Sequence, residues 1–281
     1  MTIANYTLHS IETGRFGLDG GAMFGVVPRV LWSKTNPPDD RNRVTMAARS
    51  LLLVGNGRKI LIDVGNGNKY DARLSAIYKF DNSQFDLLSS LKKHYLTPAD
   101  ITDVILTHLH FDHAGGSTIL VDEVAVPTFP NARYYVQKDH WKAATHPTER
   151  DRASFFPQDF LPLEESGQLE LVDGEREILP GIKVRLVHGH TTALQCPIVS
   201  DGSQTLFYCA DLMPTTSHIA LPWIMAYDLR PLATLEEKRK LLSEAFEKRW
   251  LLFFEHDPVT EAVSLKDSGR GIVMDSVFHL D

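Results

Sequence analysis

Cysteine is scarce in this chain: only Cys196 and Cys209 occur among 281 residues. Two thiols cannot build a disulfide framework. A reducing compartment, the cytoplasm, is therefore the expected setting, with a single Cys196–Cys209 bridge left open. Long apolar runs are missing as well. Uninterrupted stretches stop at five residues, as in 250–254 (WLLFF), against the ~20 that a helix needs to cross a bilayer. No membrane partner is expected. The opening segment, MTIANYTLHSIETGRF, has no basic stretch followed by an apolar one, so no export signal is expected either. There is also no basic stripe. The 36 acidic and 29 basic side chains leave a formal charge of −7 with Lys and Arg scattered, which argues against a nucleic-acid partner. Low-complexity tracts and short repeats do not occur. With 43% hydrophobic and 23% charged residues, the composition is that of a globular protein, not a disordered or collagenous one.

Turn signals divide the chain into short elements: 36–40 (NPPDD), Asn56-Gly57, 65–67 (GNG) and Asp201-Gly202. Residues 44–54 and 58–64 read as strands of a hairpin closed at Asn56-Gly57. Helical spacing of Phe85, Leu87, Leu88 and Leu91 predicts a helix over 83–95, and Thr97-Pro98 reads as a cap followed by proline. Further strands are expected at 102–106, 134–136, 182–188, 204–209 and 251–254, with helical turns at 139–145. The clearest helix is 234–250, where Thr234 and Glu237 fit a capping box. Strands and helices interleave in both halves, which predicts a layered α/β fold formed as one domain over residues 1–281.

The densest chemistry lies in 107–116, THLHFDHAGG. In extended backbone, residues two apart point to the same side, so His108 and His110 can grip one ion. Asp112 and His113 follow one turn later, and Gly115-Gly116 permits a tight bend that returns them toward the first pair. Imidazole nitrogen and carboxylate oxygen form a donor set that zinc accepts.

This H-x-H-x-D-H pattern after a strand resembles the metallo-β-lactamase superfamily. Gly189-His190-Thr191, Cys209-Ala210-Asp211 and Glu255-His256-Asp257, each at a strand end, resemble its later elements in the same order. The resemblance implies a four-layer αββα sandwich. It also implies that His108, His110 and His190 hold one metal, that Asp112, His113 and His256 hold a second, and that Asp211 bridges them. Two divalent ions follow, with Zn2+ the first choice and Mn2+, Fe2+ or Co2+ as alternatives. A hydroxide shared by the two cations would attack the substrate, with Asp112 and Asp211 offsetting metal charge and orienting the nucleophile. Asp63, in the strand-end sequence LID, resembles a residue that orients a ligand histidine. A plain turn with Gly65 explains it equally well.

The style of THLHFDHAGG and ADLMPTTSHI is similar to the branch holding acyl-homoserine lactonases and methyl-parathion-type hydrolases. The expected activity is hydrolysis of an ester or lactone, N-acyl-homoserine lactone first, with arylester or phosphotriester hydrolysis as the alternative. β-Lactam hydrolysis, nuclease action and a non-catalytic metal-binding role stand further back. Pro214 occupies the place, three residues after Asp211, where many lactonases have tyrosine. His218, on a loop expected to face the site's mouth, is the candidate proton donor or substrate contact in its stead. His188 reads as a strand residue. The substrate is a small molecule, and a homodimer is compatible with the sequence.

Overall fold

Apolar residues on the central strands alternate between two cores, which sets the layering. Leu51, Leu53, Ile60, Ile62 and Ile105 are fully buried in one cluster, whereas Leu52, Leu61, Val104 and Leu106 are fully buried in another. A sheet covered on both faces accounts for strands that read as continuous apolar runs. The computed structural model describes residues 1–280, so Asp281, the last residue of the expected domain, lies outside it.

The first sheet has seven strands: Thr2–Ile3, Tyr6–Asp19, Arg43–Gly55, Arg58–Ile62, Asp103–Ile105, Arg133–Gln137 and Leu169–Val172. The second also has seven: Glu177–Leu179, Ile182–Val187, Leu194–Ser200, Thr205–Tyr208, Leu251–Phe253, Ala262–Asp267 and Ile272–Phe278. The inner faces meet in one core, where Leu51 and Ile60 join Val187, Leu194 and Leu206. Helices Leu87–Lys93 and Lys138–Thr145 cover the outer face of the first sheet through Leu87, Leu91, Trp141 and Ala144. Helix Pro231–Glu247 packs on Ala262–Asp267 and Ile272–Phe278 of the second sheet. The result is the four-layer αββα sandwich.

The hairpin turn falls at Asn56-Gly57 as predicted, both residues having positive φ (49° and 71°). The helix predicted over 83–95 is shorter. Its start is fixed at Asp86, whose carboxylate accepts from the Ser89 N–H. The capping box predicted at Thr234 is also displaced. The helix begins at Pro231, and Thr234 sits inside it. Its hydroxyl donates to Asp228 Oδ2 (2.7 Å), and Glu237 accepts from the His188 and Gly189 N–H groups. Glu237 therefore holds the loop after strand Ile182–Val187, and Thr234 holds Asp228 in the segment before the helix, instead of the two forming a cap. Cys196 and Cys209 are buried and free, so no bridge forms. Among the described residues, no helix is long and apolar enough to cross a membrane.

Candidate metal centre

Five strands end at the same rim of the sandwich, and their carboxyl ends deliver the site. Ile62 leads into Asp63, Ile105 into His108, Val187 into His190, Tyr208 into Asp211, and Phe253 into His256. His110 has extended backbone (φ −65°, ψ 154°) and caps the short helix Phe111–Ala114, which carries Asp112 and His113. Gly115 and Gly116 serve a different purpose from the expected bend. Gly115 is right-handed helical, and a Cβ on it would lie 2.0 Å from the Asn66 carbonyl, while one on Gly116 would lie 2.2 Å from that of Val64. The glycines let the motif press against the turn after Asp63.

Seven side chains converge in two buried groups. His108, His110, His190 and Asp211 form one, and Asp112, His113 and His256 the other, with the ligand-type atoms of each group within 4.8 Å of one another. Asp211 lies between the groups and faces both. Its Oδ2 is 3.1 Å from His190 Nε2 and 3.9 Å from His108 Nε2, while its Oδ1 is 3.3 Å from His256 Nε2 and 3.5 Å from His113 Nε2.

The outer nitrogens of these rings are held by protein acceptors. His190 Nδ1 meets Asp228 Oδ1 (2.9 Å), His256 Nδ1 meets the Ala47 carbonyl (2.8 Å), and His108 Nδ1 meets Thr107 Oγ1 (3.0 Å). His113 Nδ1 sits between Asp63 Oδ2 (3.0 Å) and Glu255 Oε2 (2.9 Å). An N–H directed outward leaves the Nε2 lone pair directed inward, the tautomer a metal ligand needs. His110 is the exception and turns Nδ1 inward.

The inward nitrogens crowd one another: His108 Nε2 to His110 Nδ1 is 3.0 Å, His190 Nε2 to His110 Nδ1 is 3.1 Å, and His113 Nε2 to His256 Nε2 is 3.0 Å. Facing lone pairs repel unless a proton or cation lies between them. Asp211 Oδ1 is buried without a hydrogen-bond donor. The donor set and its unmet electron pairs fit divalent cations, zinc included.

Charge is distributed accordingly. Burial, reinforced by neighbouring histidines, pushes His108 and His110 well below the usual histidine range. Burial opposes protonation at His113 also, but Glu255, Asp211 and Asp112 overcome it and hold that ring well above its usual value. Burial likewise works against protonation of His256, yet Asp211 and Glu255 raise it to about 9. Burial would raise Asp211, but His190 and His113 hold it well below the carboxylate range. Glu255 is pushed up to about 8, chiefly by burial.

Asp63 faces a ligand-type histidine and also accepts from Thr107 N (2.7 Å) and Thr107 Oγ1 (2.7 Å). His218 does not reach the mouth. Its ring is buried and stacked 5.0 Å from Phe24, Thr215 Oγ1 donates to Nδ1 (2.8 Å), and Nε2 donates to the Met23 carbonyl (2.9 Å). With both nitrogens engaged behind the cavity wall, it has no free atom for a substrate. His188 is exposed, as a strand-end residue would be. Sequence reasoning missed Asp228, which lies in an irregular segment with no periodic signal. It also passed over Glu255, although that residue adjoins His256.

The site opens into a cavity of about 200 Å³. Its floor holds His110, Asp112, His190, Asp211 and His256, and its walls include Leu18, Met23, Phe111, Met225 and Leu229.

A two-sheet sandwich carrying paired metal-type ligand groups at one rim defines a class, and residues 45–256 match the Metallo-beta-lactamase superfamily. The chain belongs to that superfamily. It is similar to the N-acyl homoserine lactonase AiiA of Bacillus thuringiensis subsp. kurstaki, at 25% identity over 174 residues, 61% of this chain and 62% of the lactonase. The match thus spans less than two thirds of that relative's length. A probable metal-dependent hydrolase from Staphylococcus aureus superposes with a TM-score of 0.91 at 29% identity, covering 99% of this chain and 98% of the other. The dizinc quorum-quenching lactonase AidC, in complex with an N-acyl homoserine product, shares the fold, with a TM-score of 0.80 at 22% identity over 99% and 97% of the two chains.

Proposed function

We propose that this chain is a metal-dependent hydrolase of carboxylic esters or lactones, with N-acyl-homoserine lactone the leading substrate. The observation that carries the reading is the cavity: an apolar wall leading to a floor formed by five of the seven converging ligand-type side chains, which suits an amphiphilic acyl compound. His108, His110 and His190 would hold one cation, Asp112, His113 and His256 the other, and Asp211 would touch both. Two divalent cations supply Lewis-acid activation of water and of a substrate carbonyl. The chain's own residues do the rest. Asp228, Ala47 and Thr107 keep three imidazoles in the ligating tautomer, and Asp112 and Asp211 place negative charge beside the reacting centre. The apolar wall displaces water from the acyl side of the substrate.

The lactonase similarity in sequence supports this reading over phosphotriester hydrolysis. The test is elemental analysis of purified protein together with turnover of a lactone, aryl ester and phosphotriester panel. Two equivalents of metal per chain and fastest turnover of a lactone are expected. No more than one equivalent after zinc or manganese supplementation would defeat the two-metal assignment, and phosphotriester turnover alone would replace the substrate class.

A further inference from the structure

Strand Arg43–Gly55 pairs with Tyr6–Asp19 from end to end, but strand Arg58–Ile62 reaches only residues 51–55 of it. Over 43–50 its second edge is left for another partner, and His256 takes part of that edge. The Ala47 N–H donates to the His256 carbonyl (3.1 Å), and His256 Nδ1 donates to the Ala47 carbonyl (2.8 Å). His256 lies in the segment that joins strands Leu251–Phe253 and Ala262–Asp267. That segment is irregular, and 254–257 are buried, so its carbonyls need donors from elsewhere.

One side chain supplies them. Arg49, two residues along from Ala47 and 1% exposed, directs Nη1 at the carbonyls of Phe254 (2.8 Å), Asp257 (2.8 Å) and Thr260 (3.3 Å). These carbonyls flank His256 on both sides. The other two nitrogens face Glu12, with Nε 2.8 Å and Nη2 2.7 Å from Oε1. The guanidinium thus divides its work: one nitrogen holds the loop and two hold the counter-charge. A rigid fork of five N–H groups suits that set, whereas a lysine offers three donors on a point charge. The loop is itself a tight turn, since Asp257 Oδ1 accepts from the Val259 (3.0 Å) and Thr260 (2.8 Å) N–H groups. Its far side leans on residues 214–216, through the His256 N–H to the Pro214 carbonyl (3.2 Å) and Thr216 to Asp257 Oδ2. Arg49 ties the same turn to the first sheet, the sheet whose strand Asp103–Ile105 leads to Asp112 and His113.

We propose that Arg49 is a positioning residue: by holding the carbonyls on both sides of His256, it sets where that imidazole stands relative to Asp112 and His113. The affinity of the cation those three would share follows from it. That consequence rests on the two-cation reading, but the positioning itself is measured without metal. The experiment compares wild type, Arg49→Met, Arg49→Lys and Glu12→Gln by amide hydrogen exchange of the metal-free protein and by stepwise zinc titration against a chromophoric chelator. Arg49→Met should speed exchange of the His256, Val259 and Thr260 amides by about tenfold or more, a local opening that leaves helix Pro231–Glu247 at its wild-type rate. One zinc step should weaken by about tenfold or more, as when a group that orients a ligand is lost, while the other stays within about twofold. Glu12→Gln keeps the three carbonyl bonds and should match wild type in both measurements. Arg49→Lys should fall between the two, and it carries the comparison if the methionine variant does not fold. Wild-type loop exchange in either Arg49 variant would overturn the assignment. So would the same changes in Glu12→Gln, or equal weakening of both zinc steps, since each marks a general loss of stability. Fewer than two zinc steps in the wild type would remove the two-cation reading and leave the loop exchange to decide the role of Arg49 alone.

Discussion

At the scale of single residues, the site is built as much by groups that never face the cavity as by those that do. Asp228 is the clearest case, with one carboxylate oxygen on His190 and the other on Thr234. Asp228→Asn keeps the shape but loses the charge that orients the imidazole, and partners of this kind are worth about 10- to 100-fold in metal affinity. A competition titration with a chromophoric chelator should show a loss of that size, and unchanged affinity would remove Asp228 from the assembly. His218 makes the opposite point. It is a histidine close in sequence to a site residue, yet it is spent on structure. His218→Ala should cost about 2–4 kcal/mol in a urea titration, from lost packing and two lost hydrogen bonds, while turnover per bound metal stays at the wild-type level. Burial, as its largest cause, depresses the folded-state pKa of His218 to about 4 from an ordinary 6.5. A depressed histidine contributes stability above pH 6.5 that is lost as pH falls toward 4, with a slope of about 1.4 kcal/mol per pH unit for each proton taken up on unfolding. The variant's stability should therefore fall less steeply through that window. An equal slope in both proteins would contradict the buried, neutral state assigned to the ring.

Among elements, the sequence was most readable where strands are short, apolar and end in chemistry. Residues 102–106 and 251–254 stood out because both faces are buried and the run stops at a histidine-bearing turn. The strand Tyr6–Asp19 did not stand out. It carries Ser10, Glu12, Thr13 and Arg15, and its register shifts between Glu12 and Gly14, which breaks the alternation that marks a strand. Thr234 and Glu237 were legible as a pair but not in purpose, since a capping pattern cannot reveal that Glu237 bonds across to His188 and Gly189 while Thr234 holds Asp228 and packs against Gly189. That crossing explains why Gly189 is glycine. A Cβ there would lie 2.1 Å from Thr234 Oγ1 and 2.5 Å from its backbone nitrogen. Gly189→Ala should force the helix start away from the loop, shift His190, and lower both thermal midpoint and zinc affinity. Retention of both values would show that the contact yields without consequence.

Over the whole molecule, chain order and spatial layering coincide. Strands of the first sheet end at Val172, and those of the second begin at Glu177. His108, His110, Asp112 and His113 come from the first half, and His190, Asp211 and His256 from the second. That division was visible in the motif order, but the sheet boundary was not, because the turn between the sheets resembles any other. Cutting the backbone between the exposed Asp173 and the half-buried Gly174 would yield two polypeptides, each holding part of the ligand set and one face of the shared core. Mixed together, they should behave as a heterodimer whose dissociation constant follows the free zinc concentration, tightening as zinc rises and loosening with a chelator. Size-exclusion chromatography of the mixed halves reads this directly, and equal association with and without chelator would show that the apolar interface alone suffices. The centre that performs the chemistry would then also serve as a clasp, making the union of the two sheets responsive to the metal supply around them.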